Sequence, residues 1–256
     1  MKIRILQTNI ISGNPVFNRK AVDKLFGNRG ESDLYVLPEM FTTGFCTLGK
    51  HGDIYLDDGQ TLDWMIERAT ALDAAIAGTV AVLDEHSGKR HNRFYFVQPD
   101  GTMSYYDKYH LFTPGHEERY FSKGCQKVIV SFRGVRFMLQ TCYDLRFPVF
   151  SRSLGDYDVI IYSANWPELR TSHWDILTRA RAIENQAYVI AANRVGEDQA
   201  TTYLGHSAVI DALGNTIVEA TEASETVLEA SLDIVRQNTY RKRFCINKDA
   251  DNFIIS

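Results

Sequence analysis

The stretch YDVIIYSANW, residues 157–166, is apolar almost throughout. A strand with one solvated face alternates between apolar and polar side chains, whereas a strand covered on both faces does not. The stretch therefore predicts a central strand in a sheet that is packed on both faces. The following segment, 172–186, predicts a helix because apolar side chains recur there at helical intervals, at Trp174, Leu177, Ala180 and Ile183.

Strands and helices are predicted to alternate along the rest of the chain. Strand patterns occupy residues 2–10, 32–40, 74–84 and 187–196, and helix patterns occupy residues 14–26 and 60–74. Hairpins are predicted around three turns, at Asp100-Gly101, Arg133-Gly134 and Gly214-Asn215. A strand and a short helix at 225–244 close the fold.

The predicted strands outnumber the helices, and the helices are too few to line both faces of one wide parallel sheet. Two mixed sheets packed face to face need fewer helices. We therefore expect an α/β fold built as a four-layer α-β-β-α sandwich of two mixed β-sheets, with helices on the outer faces. No repeat, low-complexity tract or linker divides the chain, so residues 1–256 are expected to form a single domain.

Composition excludes several classes of partner. The chain has 256 residues, 45% of them hydrophobic, and its net charge of −4 supplies no positive field for nucleic acid or an anionic membrane. No apolar run approaches the length of a membrane span or a signal peptide. The four cysteines are irregularly spaced and form no CxxC pair, which argues against a zinc site. Free thiols in a reducing cytoplasm are the simplest interpretation.

Three ionisable residues follow apolar strands, at the positions where α/β enzymes place their chemistry. They are Glu39, Lys108 and Cys142. A nearby cation lowers the pKa of a thiol, and a carboxylate can accept its proton. Together the three could form an activated nucleophile. Alternatively, Cys142 is a small core residue and the other two form a buried ion pair; periodicity does not decide between these interpretations.

Four words that flank these residues resemble the nitrilase superfamily of carbon–nitrogen hydrolases. They are LPEMFTTGF (37–45), YDKYHLF (106–112), EERYFSKG (117–124) and CYDLRFP (142–148), in the order typical of that family. The resemblance implies the α-β-β-α sandwich and a Glu-Lys-Cys triad of Glu39, Lys108 and Cys142, without a metal or an organic cofactor. It also implies a second glutamate, Glu117, or Glu118 if the loop is shifted by one residue.

The words CYDLRFP, GHSAVIDALGN (205–215) and the long segment 165–196 are most similar to ω-amidases. The resemblance implies hydrolysis of the terminal amide of 2-oxoglutaramate or 2-oxosuccinamate, through a cysteine thioester, to the 2-oxo acid and ammonia. The alternatives are a deaminated-glutathione amidase, a carbamoylase or a nitrilase of the same superfamily, or a non-catalytic binding protein.

The implied mechanism assigns further roles. Glu39 takes the thiol proton, Lys108 and the backbone N–H of Tyr143 stabilise the oxyanion, and Glu117 holds the lysine. The carboxylate of an ω-amidase substrate needs a cation, for which Arg146 and Arg170 are the candidates; either could instead form a structural salt bridge. Two aromatic residues are candidates for the pocket wall, although lone aromatics are more often core residues: Phe41 and Trp166.

The resemblance also implies a homodimer or a higher homo-oligomer. The helix at 172–186 carries Arg179, Arg181 and Glu184 and is the expected interface, although such a mixture of charges usually marks a solvated face. The tail, about residues 236–256, is expected to pack on the partner subunit or to be a loosely held terminus.

Overall fold

The fold is seen in a computed structural model that describes residues 1–46, 48, 52–198, 201–221, 223–251 and 254. In chain order its strands are β1 (Lys2–Gln7), β2 (Leu34–Val36), β3 (Ala75–Asp84), β4 (Lys89–Val97), β5 (Met103–Asp107), β6 (Ile129–Phe132), β7 (Val135–Thr141), β8 (Val159–Ala164), β9 (Tyr188–Asn193), β10 (Val195–Glu197), β11 (Thr202–Leu204), β12 (Ala208–Ile210), β13 (Thr216–Glu219) and β14 (Thr226–Ser231). Its α-helices are α1 (Pro15–Asp23), α2 (Thr61–Leu72), α3 (Pro148–Ser151), α4 (Thr171–Asn185) and α5 (Ile234–Arg243).

Two six-stranded sheets form the centre of the structure. The first has the order β14-β1-β2-β3-β4-β5 and the second β13-β12-β9-β8-β7-β6, while β10 and β11 form a separate ribbon. Each sheet has three parallel strands at its centre, β1-β2-β3 and β7-β8-β9, and antiparallel strands outside them. The prediction of two mixed sheets is confirmed.

Strand β8 lies at the centre of the second sheet, as its sequence predicts. All six of its residues are buried, and it pairs in parallel with β7 and β9. Its inward side chains share one apolar core with the first sheet, in which Phe96 of β4 packs on Phe137 of β7 at 5.4 Å between ring centroids. The two sheets are therefore packed face to face.

Helices cover the outer faces of both sheets. On the first sheet, Trp64 and Met65 of α2 pack in a second apolar cluster with Tyr35 and Ile76. On the second sheet, Trp174 of α4 belongs to the main core. These contacts complete the α-β-β-α order of layers.

The apolar face predicted for α4 is correct at Trp174 and wrong at Ile183, whose side chain is 52% exposed. The buried face carries polar side chains instead, among them Thr178 and Arg181. The Thr178 hydroxyl donates to the Trp174 carbonyl of the same helix, and the Arg181 guanidinium donates to the Leu145 carbonyl. The buried face of α4 is therefore partly polar, with both of these side chains hydrogen-bonded, and Ile183 lies on the exposed face.

The C-terminal segment predicted to pack on a partner begins by packing on its own chain. The Gln237 side-chain amide donates to the carbonyls of Asp158 and Gln186, at 2.7 and 3.0 Å. The Arg241 guanidinium pairs with the Asp158 carboxylate at 2.9 Å. Helix α5 therefore packs on the sandwich of its own chain, and packing of the rest of the tail on a partner subunit stays a prediction. Across the described residues, no helix has both the length and the apolar character needed to cross a membrane.

Candidate active site

Three strand ends bring the predicted triad together. Glu39 follows β2, Lys108 follows β5 and Cys142 follows β7, and all three side chains are buried. The Lys108 ammonium Nζ lies 2.8 Å from Glu39 Oε1. The Cys142 thiol lies 3.9 Å from the carbonyl of Asn165, whose backbone N–H donates to Glu39 Oε2, and the Glu39 carboxylate raises the pKa of the thiol. Residues far apart in sequence therefore meet in one site.

The second glutamate is Glu117. Its carboxylate oxygens lie 2.9 and 3.1 Å from Lys108 Nζ, and its side chain is buried. The backbone N–H of Phe112 donates to the same carboxylate at 2.6 Å. Glu118, the alternative, is exposed and its carboxylate lies 3.8 Å from His116 Nδ1. The loop is therefore not shifted.

Two asparagines complete the hydrogen bonding of Glu39. Asn92 Nδ2 donates to Glu39 Oε1 at 2.7 Å, and the backbone N–H of Asn165 donates to Oε2 at 2.9 Å. Oε1 also receives Lys108, so Oε2 has the greater remaining capacity to accept a proton. Neither asparagine was predicted, because an amide beside an apolar strand carries no distinctive sequence pattern.

The resting thiol is protonated. Burial and the Glu39 carboxylate raise the pKa of Cys142 well above its ordinary value, although Lys108 acts in the opposite direction. The expectation that Lys108 would lower this pKa is therefore outweighed by desolvation and by the adjacent negative charge. A thiol with a raised pKa needs a base that accepts its proton during the attack. The Glu39 carboxylate is the candidate for this base.

The lysine is held as an ammonium ion. Burial alone would lower the pKa of Lys108, but the carboxylates of Glu117 and Glu39 outweigh burial and raise it well above its ordinary value. The backbone N–H of Lys108 donates to the Asn92 carbonyl, and its own carbonyl accepts the N–H of Gly124 at 2.8 Å. A Cβ at Gly124 would lie 2.0 Å from the Asp107 carbonyl oxygen, so glycine is required at this contact.

Cys142 begins a tight turn with unfavourable backbone geometry. Its φ is +43°, and it is the first residue of a 3-10 helix, Cys142–Arg146. Left-handed backbone at a non-glycine residue costs about 1–2 kcal/mol. Asp144 offsets this cost, because its buried carboxylate accepts the N–H of Thr141, the N–H of His110 and the Tyr106 hydroxyl. The same carboxylate therefore ties the turn that carries the thiol to the strand end that carries Lys108.

Tyr143 is the second residue of this 3-10 helix, so its backbone N–H lies in the first turn. An N–H in the first turn has no acceptor within its helix, so it is available as a donor next to the thiol. Its service in an oxyanion hole stays a prediction.

The thiol opens into a cavity of about 360 Å³. Aromatic rings form much of its wall, among them Phe45, Phe112, Tyr143, Trp166 and Tyr203. Arg146, Arg170 and Trp166, three of the predicted substrate-binding residues, line this cavity. Most of the other rings were missed because the chain contributes them from loops that have no periodicity.

Phe41, the fourth predicted substrate-binding residue, lies elsewhere. Its ring is 1% exposed and packs against Trp64 in the outer cluster of the first sheet, with 5.9 Å between ring centroids. Gly78 lies beside the same cluster, where an added Cβ would lie 2.8 Å from the Leu37 Cβ. The prediction that Phe41 forms part of the pocket wall is therefore wrong.

Both candidate arginines are stacked on aromatic rings of the cavity. The Arg146 guanidinium carbon lies 4.9 Å from the Trp166 ring centroid, and that of Arg170 lies 5.2 Å from the Phe112 centroid. Arg146 also lies 3.1 Å from His173 Nδ1. Within the described residues neither guanidinium is in a salt bridge. The alternative that each arginine forms a structural salt bridge is therefore not supported in this part of the chain.

Comparison with known proteins agrees with this geometry. The family model for carbon–nitrogen hydrolase matches residues 14–242. The chain is 41% identical to an ω-amidase, YafV, of Yersinia enterocolitica, over 100% of this chain and 98% of that protein. It is 30% identical to a 2-oxoglutaramate amidase of Bacillus subtilis, over 96% of each chain.

A solved structure is also similar over the whole chain. It is a CN-hydrolase superfamily protein of Xanthomonas campestris with an arsenic adduct in its active site, and it is 38% identical with a TM-score of 0.92. The similarity covers 100% of this chain and 99% of that one. With its buried Glu-Lys-Cys constellation, its sandwich fold and these relatives, the chain belongs to the carbon–nitrogen hydrolase family.

Proposed function

We propose that the protein is an ω-amidase that hydrolyses the terminal amide of a small 2-oxo acid, such as 2-oxoglutaramate or 2-oxosuccinamate. The observation that carries the proposal is the buried Glu39–Lys108 pair beside the Cys142 thiol, which opens into a cavity that contains two guanidinium groups. A carboxamide at the thiol and a carboxylate at an arginine match the two ends of such a substrate. Relatives named as ω-amidase and 2-oxoglutaramate amidase support the same substrate class.

Acylation begins when Glu39 Oε2 accepts the thiol proton as Cys142 Sγ forms a bond to the amide carbon. The carbonyl electron pair moves onto oxygen, where Lys108 and the backbone N–H of Tyr143 are placed to donate. Removing one oxyanion donor typically costs 10²–10³ in rate. The C–N bond then breaks, and Glu39 returns its proton to the leaving nitrogen, so that ammonia departs and a thioester remains.

Deacylation repeats these steps with water. Glu39 takes a proton from water as the oxygen bonds to the thioester carbon, and the C–S bond breaks. The proton returns to Cys142, so the 2-oxo acid leaves and the resting site is restored. One carboxylate therefore acts as base and acid in turn. The hydrogen bonds that it accepts from Lys108, Asn92 and Asn165 hold it in the same orientation for both roles.

Ammonia release from a panel of substrates tests the proposal. We expect turnover of 2-oxoglutaramate and 2-oxosuccinamate, and far slower turnover of deaminated glutathione, N-carbamyl amino acids and aliphatic nitriles. The measurement is kcat/KM for each compound at pH 7. A higher value for any of the other three classes would replace the proposed substrate, and no ammonia from any compound would favour a binding protein.

The two arginines are proposed to hold the substrate carboxylate. In Arg146→Leu and Arg170→Leu we expect KM for 2-oxoglutaramate to rise about 10- to 100-fold in at least one variant, since a hydrogen bond to a charged group contributes about 1.5–3 kcal/mol. Arg179→Leu is the control, because Arg179 pairs with Glu219 at 3.2 Å and is not among the residues that line the cavity. Unchanged KM in both cavity variants would contradict the assignment.

The free thiols support a reducing compartment, and we propose the cytoplasm. All four cysteines are unpaired, namely Cys46, Cys125, Cys142 and Cys245. A catalytic thiol and two exposed cysteines would be exposed to oxidation elsewhere.

We also propose a homodimer formed through α4. Ile176 and Ile183 are 65% and 52% exposed, and their spacing of seven residues places them on one face of the helix. Light scattering should give twice the 29.1 kDa of one chain, and Ile176→Asp combined with Ile183→Asp should give the monomer. A monomeric wild-type protein, or a dimer that survives both changes, would contradict this interface.

A further inference from the structure

Asn92 lies on the buried face of β4, between the two glutamates. The backbone of β4 pairs with β3 on one side and β5 on the other, and the Asn92 carbonyl accepts the N–H of Lys108 at 3.0 Å. The side chain is 0% exposed. The strand register therefore fixes this amide beside the lysine, at the centre of the site and away from the substrate cavity.

Both hydrogens of the Asn92 amide have an acceptor. Nδ2 lies 2.7 Å from Glu39 Oε1 and 3.0 Å from Glu117 Oε1. Carboxylate oxygens accept only, so the nitrogen of the amide must face them. In this orientation the amide oxygen Oδ1 is buried and has no hydrogen-bond partner among the described residues.

The charges around Asn92 do not balance. Glu39 and Glu117 share the single ammonium of Lys108, and all three groups are fully buried. Two ionised carboxylates with one cation leave a net negative charge in a dry site, which is costly unless other donors compensate. The Asn92 amide is the neutral donor that serves both carboxylates at once.

We propose that Asn92 is a positioning residue of the amidase reaction: its side-chain amide donates to the general base Glu39 and to the supporting Glu117, and holds both carboxylates against Lys108. Asn92 does not touch the substrate or the sulfur in this arrangement. It acts through the carboxylates, by donating to Glu39 Oε1 and to Glu117 Oε1, which leaves Oε2 as the Glu39 oxygen with the greater capacity to accept a proton.

The consequence is a specific pH dependence. Without the amide, the pKa of Glu117 rises, because burial already raises it and the hydrogen bond from Asn92 is one of the contacts that lower it. A site with an extra proton on Glu117 lacks the full strength of its base, so the acid limb of the activity profile moves upward in pH. Loss of a merely structural hydrogen bond would lower stability and leave this limb in place.

The titratable groups that face the pair come from four neighbouring segments. Lys108 follows β5 and opposes proton uptake, Cys142 follows β7 and remains a thiol at rest, and Cys46 lies in the loop after β2, where burial raises its pKa. Glu118, from the loop that carries Glu117, acts on Cys46 as a negative charge. These groups are present in wild type and variant alike, so the difference between the two reports the amide.

Asn92→Leu tests the proposal, because leucine keeps the volume and removes both donors. We expect the acid limb of kcat/KM to move up by about one pH unit, and kcat at pH 7 to fall at least about tenfold with KM changed less than threefold. Asn185→Leu is the matched control. Asn185 is equally buried, but its side chain bonds the backbone of Ser153 and Arg181, so this variant should lose thermal stability without moving the limb.

A second measurement separates this inference from the proposed function, on which it rests. The pH dependence of Cys142 alkylation by iodoacetamide, followed by peptide mapping, reports thiol deprotonation without requiring hydrolysis of an amide. Its midpoint should change in Asn92→Leu, because the Glu39 carboxylate that Asn92 holds acts on the pKa of the thiol. If the leucine variant does not fold, both measurements are made on Asn92→Ser, which is a smaller change.

Unchanged midpoints in both measurements, in a folded variant, would overturn the role of Asn92. A shifted alkylation midpoint in a protein that releases no ammonia from any amide would retain that role and overturn the proposed function instead.

Discussion

Cys142→Ala is expected to reduce kcat for 2-oxoglutaramate by at least about 10⁴-fold, because covalent catalysis has no other nucleophile at this position. The variant should fold normally. The side chain is small, and Asp144 still holds the turn through the backbone N–H of Thr141. The measurement is the rate of ammonia release at saturating substrate, with circular dichroism as the check on folding.

Cys125→Ala is the control for this experiment. Cys125 is an exposed free cysteine that does not line the cavity, so its removal should leave kcat within a factor of two. Retention of more than a few per cent of activity in Cys142→Ala would show that another group attacks the amide.

Lys108→Met should remove activity and also destabilise the protein strongly. Methionine approximates the length of the lysine stem, but the Glu39 and Glu117 carboxylates lose their shared cation. Breaking a buried ion pair by removing one partner costs about 3–5 kcal/mol. Urea unfolding at pH 7 measures this loss. Lys127→Met, at a partly exposed pair with Asp156, is the control and should cost no more than about 1 kcal/mol.

The destabilisation of Lys108→Met should depend on pH. Burial already raises the pKa of Glu117 in the wild type, against the influence of Lys108. Without the ammonium this pKa rises further. An acid whose pKa is higher in the folded state than in the unfolded state loses stability as pH increases between the two values. The variant should therefore be less destabilised at pH 5 than at pH 8, and an equal loss at both values would contradict this account of the cluster.

The sequence predicted the fold at the level of layers because its strongest signal was local. The unbroken apolar run of β8 needs a covering layer on each face, and the structure supplies both. The face of α4 was harder to predict, because Thr178 and Arg181 are buried only where particular backbone carbonyls accept their hydrogen bonds. The Leu145 carbonyl reaches Arg181 through a tertiary contact, the Trp174 carbonyl belongs to the helix itself, and neither partner leaves a periodic apolar pattern in α4.

The site shows the same division. Glu39, Lys108 and Cys142 were predictable because each ends an apolar strand and is flanked by a distinctive word. Asn92 was not, since its importance depends on strand β4 lying beside Lys108. Phe41 was wrongly assigned to the pocket because it lies near a site residue in sequence. It lies two residues from Glu39, but its ring packs on the outer side of the sheet against Trp64, and proximity in sequence does not predict side-chain direction across a turn.

The resting thiol also could not be described from sequence. A neighbouring lysine suggests a depressed thiol pKa, whereas burial and the adjacent carboxylate raise it. In the proposed mechanism, this raised pKa assigns proton transfer to Glu39 to the step of attack.

Mass spectrometry of the protein quenched in acid during turnover of 2-oxoglutaramate is the most direct test of this mechanism. The account predicts an added mass equal to the 2-oxo-glutaryl group, mapped to the peptide that contains Cys142 and absent from Cys142→Ala. An adduct on Cys46, which lines the same cavity, or steady turnover without any adduct under conditions where hydrolysis of a thioester is rate-limiting, would contradict it.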